Sequence, residues 1–147
     1  MAAGSWTVFN LAKKKLADGT HDLDTATFKM ALTTSAQALA TTFVGTSTDC
    51  RYSDLSAEVA AGGGYTTGGK TLSATWVQSV GTITWDVDDQ AWTSSTITAR
   101  YAVIYNDTTA NKNLVCFCLL DSTPADVSTT AGTLTVTINA SGVFSLA

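Results

Sequence analysis

The stretch that decides the fold is residues 133–139, which read Thr-Leu-Thr-Val-Thr-Ile-Asn. Leu134, Val136 and Ile138 alternate with polar residues, and a period of two is typical of a strand with one buried face. The residues that follow, Ala-Ser-Gly, have the composition of a turn. We therefore expect a half-buried strand that turns back into a short final strand.

Similar patterns lie upstream. Residues 114–120 (LVCFCLL) are apolar on both faces, which predicts a central strand buried on both sides. Residues 82–87 place Trp85 on the apolar side of an alternating segment, so this tryptophan is expected in the core. The predicted strands before residue 133 are residues 27–33, 82–87, 97–105 and 114–120.

Helical patterns are confined to the first half of the chain. Residues 5–17 predict one helix, with Ser5 as its N-cap and Gly19 as the residue that ends it. Apolar spacing within residues 52–59 predicts a short second helix. The remaining segments, residues 34–50 and 62–69, are expected to be loops.

These patterns predict a mainly β fold. Several strands separated by turn signals indicate an antiparallel β-sandwich or barrel-like domain with one N-terminal helix at its side or end. Residues 1–19 form the predicted helical segment and residues 20–147 the β-sandwich-like part of a single domain.

Composition limits the function. Charged residues make up 14% of the chain, against about 25% in an ordinary soluble domain, and the formal net charge is −4. This balance predicts neither a nucleic-acid partner nor a membrane partner. No signal peptide is expected at the start of the sequence. Low charge indicates either a surface that faces other proteins or one rich in serine and threonine.

One motif suggests chemistry. Residues 64–71 (GYTTGGKT) fit the phosphate-binding pattern G-x-x-x-x-G-K-[ST]. A phosphate-binding loop needs a buried parallel strand before it and a helix that begins at the lysine, here Lys70. The segment before the motif has helical spacing and the one after it looks extended. We therefore expect a glycine-rich structural loop and no cofactor.

Other reactive groups are few. His21 is the only histidine, and no pattern places it beside a nucleophile, so we predict no catalytic residues. The three cysteines, Cys50, Cys116 and Cys118, are expected to be reduced and mostly buried. With so few ligands, no zinc site is expected. Asp86, Asp88 and Asp89 are either a polar strand end, a subunit contact or a Ca²⁺ site.

Tryptophans are the remaining candidates for a binding surface. Interface anchors are commonly Trp, Tyr and Arg. Trp6 and Phe9 near the start of the chain, and Trp92 in a polar stretch, are the predicted interface residues. Trp76 and Trp92 are the alternative candidates for a sugar-binding platform.

Several segments together resemble small virion structural proteins of tailed bacteriophages. They are residues 22–33 (DLDTATFKMALT), 65–72 (YTTGGKTL), 92–107 (WTSSTITARYAVIYND) and 139–146 (NASGVFSL). The likeness runs over most of residues 20–147 and is less distinct over residues 1–19. It implies a structural role for the glycine-rich loop and supplies no catalytic residues.

The resemblance implies a virion component. The leading expectation is a capsid decoration or cement protein that is made in the host cytoplasm and assembled on the particle. Its expected partners are the major capsid protein and copies of itself. The alternatives are a tail or neck component, such as a fibre adaptor or tip protein, and a carbohydrate-binding module.

Overall fold

The computed structural model describes residues 4–45 and 48–147. Within these ranges the fold is mainly β, with one α-helix, and every strand pair is antiparallel. The elements in chain order are β1 (Thr7–Val8), α1 (Asn10–Ala17), β2 (Phe28–Thr33), β3 (Lys70–Thr71), β4 (Ala74–Ser79), β5 (Thr82–Val87), β6 (Gln90–Ser95), β7 (Thr98–Ala99), β8 (Tyr101–Asn106), β9 (Leu114–Leu119), β10 (Val127–Ser128), β11 (Gly132–Val136) and β12 (Phe144–Leu146).

A five-stranded sheet with the order β1-β9-β8-β2-β3 is the centre of the molecule. Its three middle strands are almost entirely buried, which confirms the prediction for residues 114–120. Apolar residues point to both faces of β8: Ala102 and Ile104 lie in one core, and Val103 and Tyr105 lie in another. The sheet is therefore the middle layer of three.

An irregularity in β9 keeps both faces apolar. Tyr105 pairs with Leu114 while Ile104 pairs with Cys116, so Val115 is an extra residue on β9. Because the bulge shifts the alternation, Val115 and Cys116 both belong to the same core. Phe117 then points to the opposite face.

Two further sheets cover one face of the central sheet. The β12-β5-β4 sheet and the β11-β6 pair supply the apolar residues predicted from alternation, among them Trp85 and Leu134. The rings of Trp85 and Phe28 meet edge to face, with centroids 4.9 Å apart, and this contact joins the two layers. The strand at residues 133–139 is shorter than predicted, since β11 ends at Val136, but Ile138 still points inward.

The start of the chain differs from the prediction. Helix α1 begins at Asn10, not at residue 5, and its N-cap is Phe9 with no side-chain capping bond, so Ser5 is not the cap. Thr7 and Val8 are extended because the edge of β9 pairs with them, and β-branched residues suit a strand. The end was predicted correctly: Gly19 follows the helix with φ of 80°.

Helix α1 and the loop after β2 cover the other face. Phe9 and Ala12 are fully buried with Val103 and Phe117 in this second core. The predicted second helix is a single 3₁₀ turn, Tyr52–Asp54. No helix in the described ranges is long and apolar enough to cross a membrane.

The glycine-rich loop, residues 62–69, connects the layers through hydrogen bonds and one close backbone contact. Glu58 accepts hydrogen bonds from the hydroxyls of Tyr52 and Tyr65 and from the backbone N–H of Gly68, the last two at 2.7 Å. Gly69, with φ of 71°, passes so close to β2 that a Cβ atom would lie 1.8 Å from the carbonyl oxygen of Met30. Only glycine fits there.

His21 fixes the end of α1 to β8. Its side chain is buried, and the amide nitrogen of Asn106 lies 3.3 Å from Nδ1. Because an amide nitrogen can only donate, Nδ1 must accept, which requires a neutral imidazole. Burial, reinforced by the charge of Lys15, lowers the pKa of His21 to about 4.

Replacing Gly69 with alanine tests the close approach of the loop. We expect Gly69→Ala to lower the free energy of unfolding by about 3 kcal/mol or more, because positive φ and overlap with Met30 act together. Gly19→Ala is the matched control: φ is also positive there, but the space is open, so about 1–2 kcal/mol is expected. Urea denaturation measures both; equal losses would contradict the proposed overlap.

Acid should weaken the fold through His21. The folded pKa lies below the unfolded value of about 6.5, so this contribution is intact above pH 6.5 and is lost as the pH falls towards 4. We expect a loss of roughly 3 kcal/mol in that window, measured by urea denaturation at a series of pH values. His21→Gln should flatten the profile between pH 6.5 and 4. An unchanged profile would show that another group is responsible.

Candidate interaction surface

The β4–β5 hairpin, residues 74–87, ends in a strained and exposed turn. Val80 and Gly81 form the turn with φ of 47° and 82°, as in the left-handed turns that suit hairpins. Glycine accepts this conformation easily, but a β-branched residue does not. Val80 is also 100% exposed. Its side chain therefore gains nothing from packing within the chain, and its backbone is unfavourable.

Large apolar side chains continue from the turn along β4. Trp76 is 45% exposed and Val77 is 64% exposed, although they point to opposite faces of the strand. No charged residue occurs between residues 71 and 85. An apolar surface without charge is the usual composition of the centre of a protein interface.

The exposed tryptophan is held in place. Trp76 pairs with buried Trp85 across the hairpin, so its ring continues the core-facing side beyond the edge of the core. Its Nε1 donates a hydrogen bond to Oδ1 of Asp24, at 3.2 Å. A ring with a fixed orientation loses little conformational entropy when a partner covers it.

The outer edge of β4 carries free backbone groups. The N–H of Asp88 bonds to the carbonyl of Ser73, which makes these residues a hydrogen-bonded pair in the register of the hairpin. Because such pairs alternate with non-bonded pairs, the N–H and C=O groups of Ala74, Trp76 and Gln78 point away from β5. No other segment among residues 4–45 and 48–147 bonds to those groups.

The predicted interface residues lie elsewhere. Phe9 is 0% and Trp92 2% exposed, so both belong to the chain's own cores and are not surface anchors, which corrects the expectation. Sequence reasoning placed Trp92 in a polar stretch, but β6 alternates and turns it inward. Trp6 is half-buried against the main core and lines a groove of about 420 Å³ with residues 139 and 141–145.

Val77 and Val80 were missed by sequence reasoning. Residues 74–79 show no clean apolar alternation, so the exposed face of the strand could not be read from the pattern. The sequence predicts a role for Trp76 only as part of a sugar platform. One feature of the sequence does indicate an unusual turn here. A valine precedes the glycine of the hairpin turn, at a position that favours asparagine, aspartate or glycine.

Lys70 has no phosphate-binding geometry. It lies on β3, which pairs antiparallel with β2, and no helix begins there. Its ammonium group donates a hydrogen bond to the carbonyl of Ala91 and lies 5.5 Å from the centre of the Trp92 ring. This arrangement stabilises the packing of β6 and explains the lysine without a nucleotide.

The three aspartates are separate structural groups. Asp88 accepts a hydrogen bond from the N–H of Ser73 at 2.7 Å, and Asp89 accepts one from the N–H of Ile138 at 2.8 Å. Asp86 bonds to the backbone of the next residue. Within the described residues, no group of three acidic, histidine or cysteine side chains is arranged to hold a metal ion.

The thiols are buried, as predicted from the sequence. Cys50, Cys116 and Cys118 form no disulfide bond with one another. Burial raises the pKa of Cys50 and of Cys118 to about 12, and that of Cys116 well above its usual value. These groups stay protonated at neutral pH, so they are poor nucleophiles.

A variant of Lys70 distinguishes a structural role of this lysine from nucleotide binding. Lys70→Met keeps the apolar stem over Trp92 but loses the ammonium group, so we expect the free energy of unfolding to fall by about 1–2 kcal/mol. ATP with Mg²⁺ should leave the Tm of both proteins unchanged. A rise in Tm with ATP that disappears in Lys70→Met would contradict the structural interpretation.

Comparisons with known proteins identify no relative of this chain. No protein-family model, no curated protein and no solved structure matches it.

Proposed function

We propose that this chain is a non-enzymatic structural subunit of a bacteriophage particle, with the role of a decoration protein that binds and stabilises the capsid shell. The observation that carries the proposal is the apolar hairpin with exposed Trp76, Val77 and Val80. Exposed apolar clusters on soluble domains are typical of protein–protein contacts.

The rest of the chain supports an assembly role. The side chains that could take part in a reaction instead stabilise the fold. Lys70 packs on Trp92, and Asp88 and Asp89 each accept a hydrogen bond from a backbone N–H. The sequence resemblance to small virion proteins, which covers most of residues 20–147, supports the particle as the place of assembly. Repeated contacts of modest strength stabilise a symmetric shell through multivalency.

A second candidate is supported by one contact. Trp76 lies beside the exposed carboxylate of Asp24 and the exposed amide of Gln78, and an aromatic ring flanked by polar groups is a suitable platform for a sugar. The absence of charge from residues 71–85 and the full exposure of Val80 favour protein contact, because a sugar site needs neither.

Particle binding provides the test. Purified capsids that lack the chain are mixed with the purified chain and sedimented, and the bound copies are counted by quantitative mass spectrometry. A decoration role predicts copies on the order of hundreds per particle, since every equivalent site of the shell is filled. Far fewer copies, located at one vertex, would favour the tail or neck alternative.

Matched variants locate the contact. We expect Val80→Ser to reduce binding about fivefold or more, because a fully exposed apolar anchor in the turn is lost without disturbing the core. Val44→Ser, at another position that is half exposed, should bind like the original chain. No binding to particles by any of these proteins would overturn the proposal, and glycan-array binding that is lost on Trp76→Ala would favour the sugar alternative.

A further inference from the structure

The free edge of β4 needs a strand as its partner. Its outward N–H and C=O groups, on Ala74, Trp76 and Gln78, alternate as donors and acceptors along an extended backbone. Natural proteins usually protect such an edge with a charge, a proline, a bulge or a short strand. β4 is six residues long, has none of these side chains, and pairs with β5 without a bulge.

We infer that β4 pairs antiparallel with β4 of a second copy of this chain, across a twofold axis that places Trp76 opposite its own copy. This inference rests on the proposed function, in which many copies meet on one particle. It extends the three-stranded β12-β5-β4 sheet into a continuous six-stranded sheet shared by two protomers.

The register follows from the positions of the outward groups. In an antiparallel dimer of identical strands, only Ala74, Trp76 and Gln78 can form the hydrogen-bonded pairs. Setting Trp76 opposite its copy pairs Ala74 with Gln78 of the other protomer, so all three residues bond. A shift by two residues in either direction would leave an end residue unbonded.

Charge restricts where a second copy can meet this chain. The chain carries a formal charge of −4, so two copies repel over most of their surfaces. The strand from Ala74 to Ser79 has no charge of its own, and the charge nearest to Trp76 is the carboxylate of Asp24, which accepts a hydrogen bond from Nε1 of that ring. The nearest carboxylate on the hairpin, that of Asp86, lies on β5, one strand further inside.

The area requirement also places Trp76 in the contact. A stable dimer buries about 800 Å² on each partner, which a short strand edge does not reach through its backbone alone. A whole aromatic side chain buries about 150–250 Å², and Trp76, which is 45% exposed, has roughly half of that left to contribute. Trp76 on one face and Val77 on the other are the apolar groups beside the edge that add to it.

A proline at the edge tests the dimer. Because the N–H of Gln78 points away from β5, Gln78→Pro should leave the hairpin folded and remove a bond to the second copy. Val77→Lys places like charges close together across the axis, and Thr130→Lys is the control at an exposed position outside the hairpin. Analytical ultracentrifugation should give a dimer for the original chain and for Thr130→Lys, and half that mass for the other two.

Hydrogen exchange locates the contact. The amides of Trp76 and Gln78 should be protected in the original chain, and that of Trp76 should exchange freely in Val77→Lys, while melting curves confirm that the variants fold. A monomeric original chain, a dimer that persists in both edge variants, or a dimer with freely exchanging Trp76 and Gln78 amides would overturn the inference. Particle binding by a monomer would leave the proposed function standing, whereas a dimer that binds no particle would refute only that function.

Discussion

Burial of the central sheet on both faces is the constraint on which the rest of the structure depends. β8 lies between β2 and β9, and its residues from Ala102 to Asn106 are buried. A sheet with two apolar faces must be covered twice, so the chain supplies a β layer on one side and helix α1 with its neighbouring loop on the other. The bulge at Val115 allows β9 to serve both cores.

The two covering layers explain why most polar groups have structural partners. Glu58 joins two tyrosine hydroxyls to the glycine-rich loop, and Lys70 joins that loop to β6. A buried or half-buried polar group is costly without a partner. Lys70, which belongs to the phosphate-binding pattern in the sequence, is thus part of the fold's own hydrogen bonding.

The β4–β5 hairpin differs from the rest of the structure, because several of its large apolar side chains are exposed. Val80 occupies an unfavourable backbone conformation in full exposure, and Trp76 and Val77 extend the apolar surface beyond the core. Departures from locally favourable sequence are expected where a protein meets a partner. The hairpin therefore links the fold to the proposed role in assembly: the part of the molecule least suited to an isolated monomer is the part that fits a protein neighbour.

The sequence by itself determined the mainly β fold, the central strand at residues 114–120 and the inward faces of Trp85 and Leu134, because alternation reports burial directly. It also indicated that the glycine-rich loop is structural. Only the tertiary structure decided which aromatic residues are exposed. Phe9 and Trp92 are covered by segments distant in the chain, while Trp76 lies past the limit of the core. The local sequence pattern does not show where the core ends. The edge of the core depends on the strand order and on which segments are available to cover each sheet.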